Sequence, residues 1–342
     1  MSPVDTSPTV TGPRPAWVGL AVTVAAIAFV ALRLLAHDGD ATLFVRAGDE
    51  LTDPARGEAA GLTVAEDSAG YDGQYSYRLA RAPLSGADRV DGVGLDRPVD
   101  RVSRIGYPAL AWVGSLGGQR GLVPWSLIGV NVLALGAIGA LAASLARDAG
   151  RSSWWGLVPA AAPGLLVALS RDLTEVVAAA ALLGGLVLLR RGRFGPAAAV
   201  LLFAAVSRET TLVLPAAVVA AALLPHLPAL PASLERARRA LVGDRPSVPL
   251  WVGLAPLAGY AAWRTWLSVA WDAPRSFGDP GATVNGVTVP FVRPLTQAVR
   301  FLTGGDPVDQ VQLLQLVLVG LAVALVAWAA WRAEGVGAPE RL

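Results

Sequence analysis

Residues 16–36 read AWVGLAVTVAAIAFVALRLLA and are followed at once by His37-Asp38-Gly39-Asp40. This is 21 residues with one charge, Arg33, and it matches the roughly 20 residues an α-helix needs to cross a hydrocarbon core. No small-residue cleavage site ends the run, so it reads as a retained first span and not as a secretory leader. Four prolines before residue 16 predict a disordered cytoplasmic segment over 1–15.

Outward from this stretch the apolar character continues. Hydrophobic residues make up 54% of 342, and the mean hydropathy of +0.52 is well above that of a soluble domain. Further apolar runs cover residues 122–146, 154–169, 173–189, 196–206, 210–224, 248–271 and 311–331. Several are short or carry Pro and Gly, the pattern of broken helices that line a cavity. The expected fold is an all-α, polytopic integral membrane helix bundle, a single transmembrane domain over 16–331.

Arginine clusters at Arg147 and Arg151, at Arg190, Arg191 and Arg193, at Arg236, Arg238 and Arg239, and at Arg332 mark the cytoplasmic connections. The long polar loop 37–104 and the second polar stretch 272–310 then lie outside, and 332–342 forms a cytoplasmic tail. This topology requires the 14 residues 105–118, short for a crossing, to be re-entrant or interfacial. It also places the 170–175 and 207–210 connections on the outer side with the loop. Residues 233–240 read as a short basic helix near anionic headgroups.

Composition narrows the chemistry. All 28 basic residues are Arg, yet the net charge is only +2, with no concentrated basic face for a nucleic acid. The absence of Cys removes disulfides, thiolate catalysis and sulfur-ligated metals. His37 and His226 lack ligand-spaced partners, so no histidine metal site is expected.

Half of the 26 acidic residues fall between Asp38 and Asp100, and most read as solvated. Asp72 differs. It lies in Gly70-Tyr71-Asp72-Gly73-Gln74, ahead of an amphipathic stretch, 74–82, in which Tyr75, Leu79 and Ala82 can lie on the membrane while Arg78 and Arg81 reach headgroups. A carboxylate held there can accept a proton from a hydroxyl, or it can simply cap the helix. Asp172 and Glu175 share a face at a helix start, where Arg171 can pair with Glu175; the helix dipole alone accounts for Asp172 better than for Glu175. Arg208-Glu209 sits between two short apolar runs, either as a hairpin tip or as a break that offers a guanidinium to a phosphate. Arg101 and Arg104, before Tyr107-Pro108, can serve that phosphate or snorkel to headgroups, and snorkelling is expected of Arg33 and Arg264.

An outward loop bearing an Asp, followed by helices whose outer ends supply Glu and Arg, resembles the GT-C class of membrane glycosyltransferases. More narrowly, Tyr71-Asp72-Gly73-Gln74-Tyr75, Arg101 through Pro108, Arg171 through Glu175 and Ser207 through Thr210 look like a pattern in uncharacterised bacterial membrane proteins grouped with that class. The resemblance covers residues 16–224. It departs from the class in lacking a paired-acid motif, since Gly73 follows Asp72, and in having no soluble C-terminal domain.

The resemblance implies a polyprenyl-phosphate sugar donor, membrane lipids as surroundings, a bacterial cytoplasmic membrane location and an extracytoplasmic acceptor of the cell envelope. It makes Asp72, Glu175 and Glu209 the catalytic candidates and Tyr71, Gln74, Arg101, Arg104, Arg171, Asp172 and Arg208 the substrate-binding ones. It implies no obligatory cofactor; a divalent metal on these carboxylates is compatible with the chemistry, but no ligand spacing demands it. Room is left for a protein partner. Two other readings stand beside it: a lipid-linked sugar flippase, and a non-catalytic subunit of an envelope assembly.

Overall fold

A computed structural model describes residues 12–224, 232–242 and 248–271, which are mostly helical. Helix α1 (Pro15–Leu35) opens the chain with Pro15 in its first turn, where the missing N–H goes unused. The polar region that follows is built, not extended. Two-residue strands β1 (Ala47–Gly48) and β2 (Val64–Ala65) pair in parallel around α2 (Pro54–Ala59). Helix α3 (Gly73–Arg81) precedes an antiparallel pair, β3 (Arg89–Val90) and β4 (Val93–Gly94). Short helices α4 (Pro98–Val102) and α5 (Gly106–Gly114) complete it.

The long helix α6 (Val123–Asp148) is followed by α7 (Leu157–Ala160), α8 (Pro163–Leu169), α9 (Glu175–Arg190), α10 (Phe194–Ser207), α11 (Val213–Leu223), α12 (Ala232–Val242) and α13 (Trp251–Ala270). The run 154–169 is therefore not one helix. Pro159 and Pro163 deny it two backbone donors, and the chain breaks into a 3₁₀ turn and two short helices.

Small residues set the packing. Gly19 lies against Ala140, Val22 against Gly139 and Thr23 against Gly136, so α1 and α6 run antiparallel with their backbones close. A Cβ added at Gly19 would come within 2.8 Å of the Ala140 Cβ, and one at Gly136 would meet the Thr23 hydroxyl. Both ends of the 36–122 stretch consequently lie at one end of this pair. Helix α5, with nine residues and a length of about 14 Å, is too short to carry the chain to the other end.

Helix α9 runs parallel to α6, since Asn131 reaches the Leu173 carbonyl while Leu141 lies by Gly184. Helix α10 returns antiparallel, with Leu201 against Gly185. Helix α13 lies along α10 through Gly259 and Leu202 and ends beside α4, where Trp263 donates to the Ser103 carbonyl and Arg264 to Val99 and Asp100. The polar region, the 170–175 and 207–212 connections and the end of α13 thus gather at one end of the bundle.

Three local expectations are corrected. Helix α3 forms but does not lie on a surface: every residue from Gly73 to Ala80 is buried, because α5, β4 and the turns of the polar region cover both of its faces. Arg264 is held by Asp100 at 2.9 Å and does not snorkel. Several acids read as solvated are partnered instead, Asp91 by Arg81, Arg120 and the Tyr77 hydroxyl, and Asp96 by Arg101. Among the described residues two helices, Pro15–Leu35 and Val123–Asp148, are long and apolar enough to cross a membrane. The expectations for 1–11, 272–310, 311–331 and 332–342 lie outside the described residues.

Overpacking the α1/α6 seam with Gly136→Val is expected to destabilise the protein by about 1–3 kcal/mol. Gly129→Ala, on the same helix with open space around it, is expected to stabilise by about 0.5–1 kcal/mol through helix propensity. Thermal midpoints in one detergent check both signs.

Candidate functional site

Two glycines bring the site together. A Cβ on Gly73 would run into the Arg171 carbonyl and stand 2.7 Å from that of Val45. One on Gly106 would run into Ser207, whose backbone nitrogen would be 3.1 Å away. Neither glycine has a left-handed φ, so what each position requires is space and not torsional freedom. Gly73 seats the polar region on the connection before α9, and Gly106 seats α5 on the end of α10. Asp72 and Arg104 are thereby carried to the helix ends that bear Glu175, Arg208 and Glu209.

The charged groups then pair across the chain. Arg101 Nη1 donates to Asp72 Oδ1 at 3.0 Å, and its Nε and Nη2 hold Asp96 at 2.8 and 2.9 Å. Its guanidinium also lies 4.0 Å from the centre of the Tyr75 ring, a cation–π contact. Arg104 grips Glu209 through both Nε and Nη2, at 3.0 and 2.7 Å, and stands 3.6 Å from Asp72. Arg208 pairs with Glu175 at 2.8 Å. Three arginines thus face four carboxylates, and Asp72 sits between two of the cations.

Asp72 begins α3, but its side chain accepts no capping hydrogen bond. Its carboxylate is committed to arginines instead, and its side chain remains 42% exposed, open to an incoming group. Asp72, Tyr75, Ser76, Leu79, Arg101, Arg104, Glu175 and Arg208 line one cleft of about 20 Å³. That volume admits a water molecule but no sugar, because the ion pairs close it. One wall carries an unmet acceptor: Glu175 Oε2 is buried without a hydrogen-bond partner.

Burial raises the Glu209 carboxyl, but the hydrogen bonds and charge of Arg104 outweigh it and hold the group below its ordinary range. Burial pushes the Tyr75 hydroxyl up to about 12. The opposite outcome holds at Asp172, which is fully buried: desolvation drives its carboxyl well above the ordinary value, and the Tyr107 hydroxyl offsets this only in part. Asp172 adopts a left-handed φ of 48° beneath the cleft. The Tyr107 hydroxyl lies 3.4 Å from its Oδ1 and 2.9 Å from Asn131 Nδ2, and Asp172 Oδ2 has no partner.

The remaining sequence candidates fall around this cluster. Gln74 is 1% exposed; its oxygen accepts from Thr52 Oγ1 and the Gly48 N–H, and its nitrogen donates to Ala69. It braces the polar region and does not line the cleft. Tyr71 and Arg171 stack on each other at 4.4 Å near the rim. Sequence reasoning missed Asp96, whose hold on Arg101 follows from no local spacing, and placed Tyr75 on the membrane instead of under Arg101. Among the described residues no group of three or more His, Cys, Asp or Glu is placed to hold a metal ion.

Comparison of the chain with protein-family models, with curated proteins and with solved structures returns no match.

Arg104→Ala, which strips Glu209 of its fork, is expected to destabilise by about 1–2 kcal/mol, limited by the water that Glu209 still reaches. Because the folded Glu209 carboxyl is depressed, its contribution is present above the ordinary value of 4.5 and is lost as pH falls through the lower folded value. The stability gap between wild type and Glu209→Gln should therefore close on acidification, as measured by thermal midpoint against pH. Asp172 has the opposite sign: its folded carboxyl is raised, so Asp172→Asn should gain on wild type as pH rises above 3.8.

Proposed function

We propose that this chain is a polytopic membrane glycosyltransferase that takes a sugar from a polyprenyl-phosphate donor and passes it to an extracytoplasmic acceptor of the cell envelope. The observation that carries this reading is the convergence of Asp72, Arg101, Arg104, Glu175 and Arg208 on one cleft at one end of the bundle. A base beside a group of arginines is what displacement of a phosphate leaving group needs.

Support for a membrane setting comes from the surface. Exposed Trp17, Trp154 and Trp155 lie toward one end of the α1/α6 pair, and exposed Trp112 and Trp125 toward the other. Trp17 and the turn bearing Trp154 pack near residues 139–143 of α6, so about 15–17 residues, or roughly 25 Å, separate the two aromatic levels. That spacing suits indoles at the two edges of a hydrocarbon core about 30 Å thick. In this setting the polar region faces outside, and the broken run 154–169 crosses as an interrupted helix shielded by its neighbours.

In the reaction the acceptor hydroxyl gives its proton to Asp72 as its oxygen bonds the anomeric carbon. The bond from that carbon to the phosphate oxygen breaks, and the polyprenyl phosphate leaves with the electron pair, stabilised by Arg208 and Arg104. A single displacement inverts the anomeric centre. The cluster must open for this to happen, since its cations are held by its own carboxylates. A donor phosphate competes for Arg104 and Arg208, and as Arg104 turns to it Asp72 loses one of its two cations. Glu175 and Glu209, released in the same exchange, are free to take sugar hydroxyls. The charges sit at helix ends and not along a path through the bundle, which favours transfer over a lipid-linked sugar flippase.

The test is glycosyl transfer in proteoliposomes from a panel of radiolabelled polyprenyl-phosphate sugars. Wild type is expected to form donor-dependent product, Asp72→Asn to lose about 10²–10⁴-fold and Arg208→Ala about 10²–10³-fold, at matched folding. A wild type that is inactive across the panel while moving the lipid donor between leaflets would replace this reading with the flippase.

A further inference from the structure

Helix α3 divides two cavities. Asp72, Tyr75, Ser76 and Leu79 belong to the cleft described above, whereas Arg78 stands in the wall of a second cavity of about 340 Å³. Leu95, Pro98 and Trp271 supply apolar wall, and Asp88 and Arg89 stand at its more exposed side. This volume falls within the range of small-molecule sites, roughly 300–1,000 Å³.

Arg78 is anomalous here. It is 2% exposed, and its Nη2 donates to the Ala87 carbonyl, but Nε and Nη1 have no hydrogen-bond partner. The arginines around it, Arg81, Arg101, Arg104 and Arg264, each hold a carboxylate; Arg78 holds none among the described residues. Asp88 acts on it only through space, and burial disfavours the cation by more than Asp88 favours it. A buried guanidinium with unmet donors is costly unless an anion completes it.

We propose that this cavity is a second binding site, for a monoanionic phosphodiester, with Arg78 as its cation. Arg78 and Arg89 against Asp88 leave one net positive charge, which matches a phosphodiester and not a phosphate dianion. The apolar wall suits the organic groups on either side of the phosphate. Trp271 stands edge-on to Trp266 at 6.3 Å, and Trp266, exposed, stacks on Trp263 at 5.2 Å, so the cavity adjoins an aromatic cluster of the kind that sits at a lipid–water boundary. Both a phospholipid headgroup and a soluble phosphodiester carry this chemistry. Such a site exists whatever reaction the neighbouring cleft performs.

Thermal midpoints of the full chain test it, in phospholipid-free detergent with and without dimethyl phosphate, and in nanodiscs of phosphatidylglycerol against phosphatidylcholine. Wild type is expected to rise with dimethyl phosphate, with phosphatidylglycerol, or with both; a rise with phosphatidylglycerol alone makes the ligand a lipid headgroup, and a rise with dimethyl phosphate a soluble solute as well. Arg78→Met should lose the rise and, in anion-free detergent, be at least as stable as wild type, because it removes an unpaired buried cation. Leu95→Trp, which keeps the cation and fills the cavity, should also lose the rise. A wild type unmoved by either anion overturns the site. So does an Arg78→Met midpoint lowered equally with and without anion, the mark of a structural arginine, and so does a rise that survives Leu95→Trp.

Discussion

Arg104 is claimed by two carboxylates from distant parts of the chain, Asp72 in the polar region and Glu209 at the break between α10 and α11. Its fork on Glu209 spans 105 residues of sequence and fixes how far α5 and α10 stand apart at their charged ends. Everything else in the cluster is placed relative to that contact. Arg208, next to Glu209, is left pointing at Glu175, and Arg101, one helical turn before Arg104, reaches Asp72 and Asp96. Such pairs hold only while both partners remain, since a half-buried charge without its counterion costs more than the pair contributes.

The three arginines of the cluster are consequently each committed to a carboxylate. A cleft of about 20 Å³ closed by salt bridges offers no void for a ligand to fill, so under the function proposed above the donor phosphate enters by exchange, anion for carboxylate. Selectivity in an exchange site comes from the difference between the ligand's hold on the arginines and the hold of Asp72, Glu175 and Glu209. Under that reading a phosphate can compete with a carboxylate for an arginine, which a neutral sugar cannot do.

Much of the helical content was legible in the hydrophobic pattern, because long apolar runs depend on the surroundings of each helix and little else. The runs 122–146, 173–189 and 196–206 correspond closely to α6, α9 and α10. The candidate charges were legible too, since ionisable groups flanking apolar runs stand out locally. What the sequence concealed was tertiary. The amphipathic pattern of α3 predicted a surface helix, but Asp91 and α5 supply the partners its polar and apolar faces would otherwise have sought from water and lipid. Nothing in the sequence sets Gly73 and Gly106 apart, and their service as close-contact points appears only once Arg171 and Ser207 are beside them. Asp96 lay among a dozen other acids with nothing in its spacing to set it apart.

The close seat of Gly73 on the Arg171 carbonyl bears on the order in which the chain assembles. About 100 residues separate those two backbones, and Glu209 lies later still, so the polar region leaves synthesis well before the surfaces that complete it exist. Until then Asp72, Arg101 and Arg104 have only their local partners, and the loops that must close are long, which slows the final docking step. A chain held before that docking would keep its local helices yet lack the cleft, because the cleft's walls come from four separate stretches, 72–79, 101–108, 173–175 and 208.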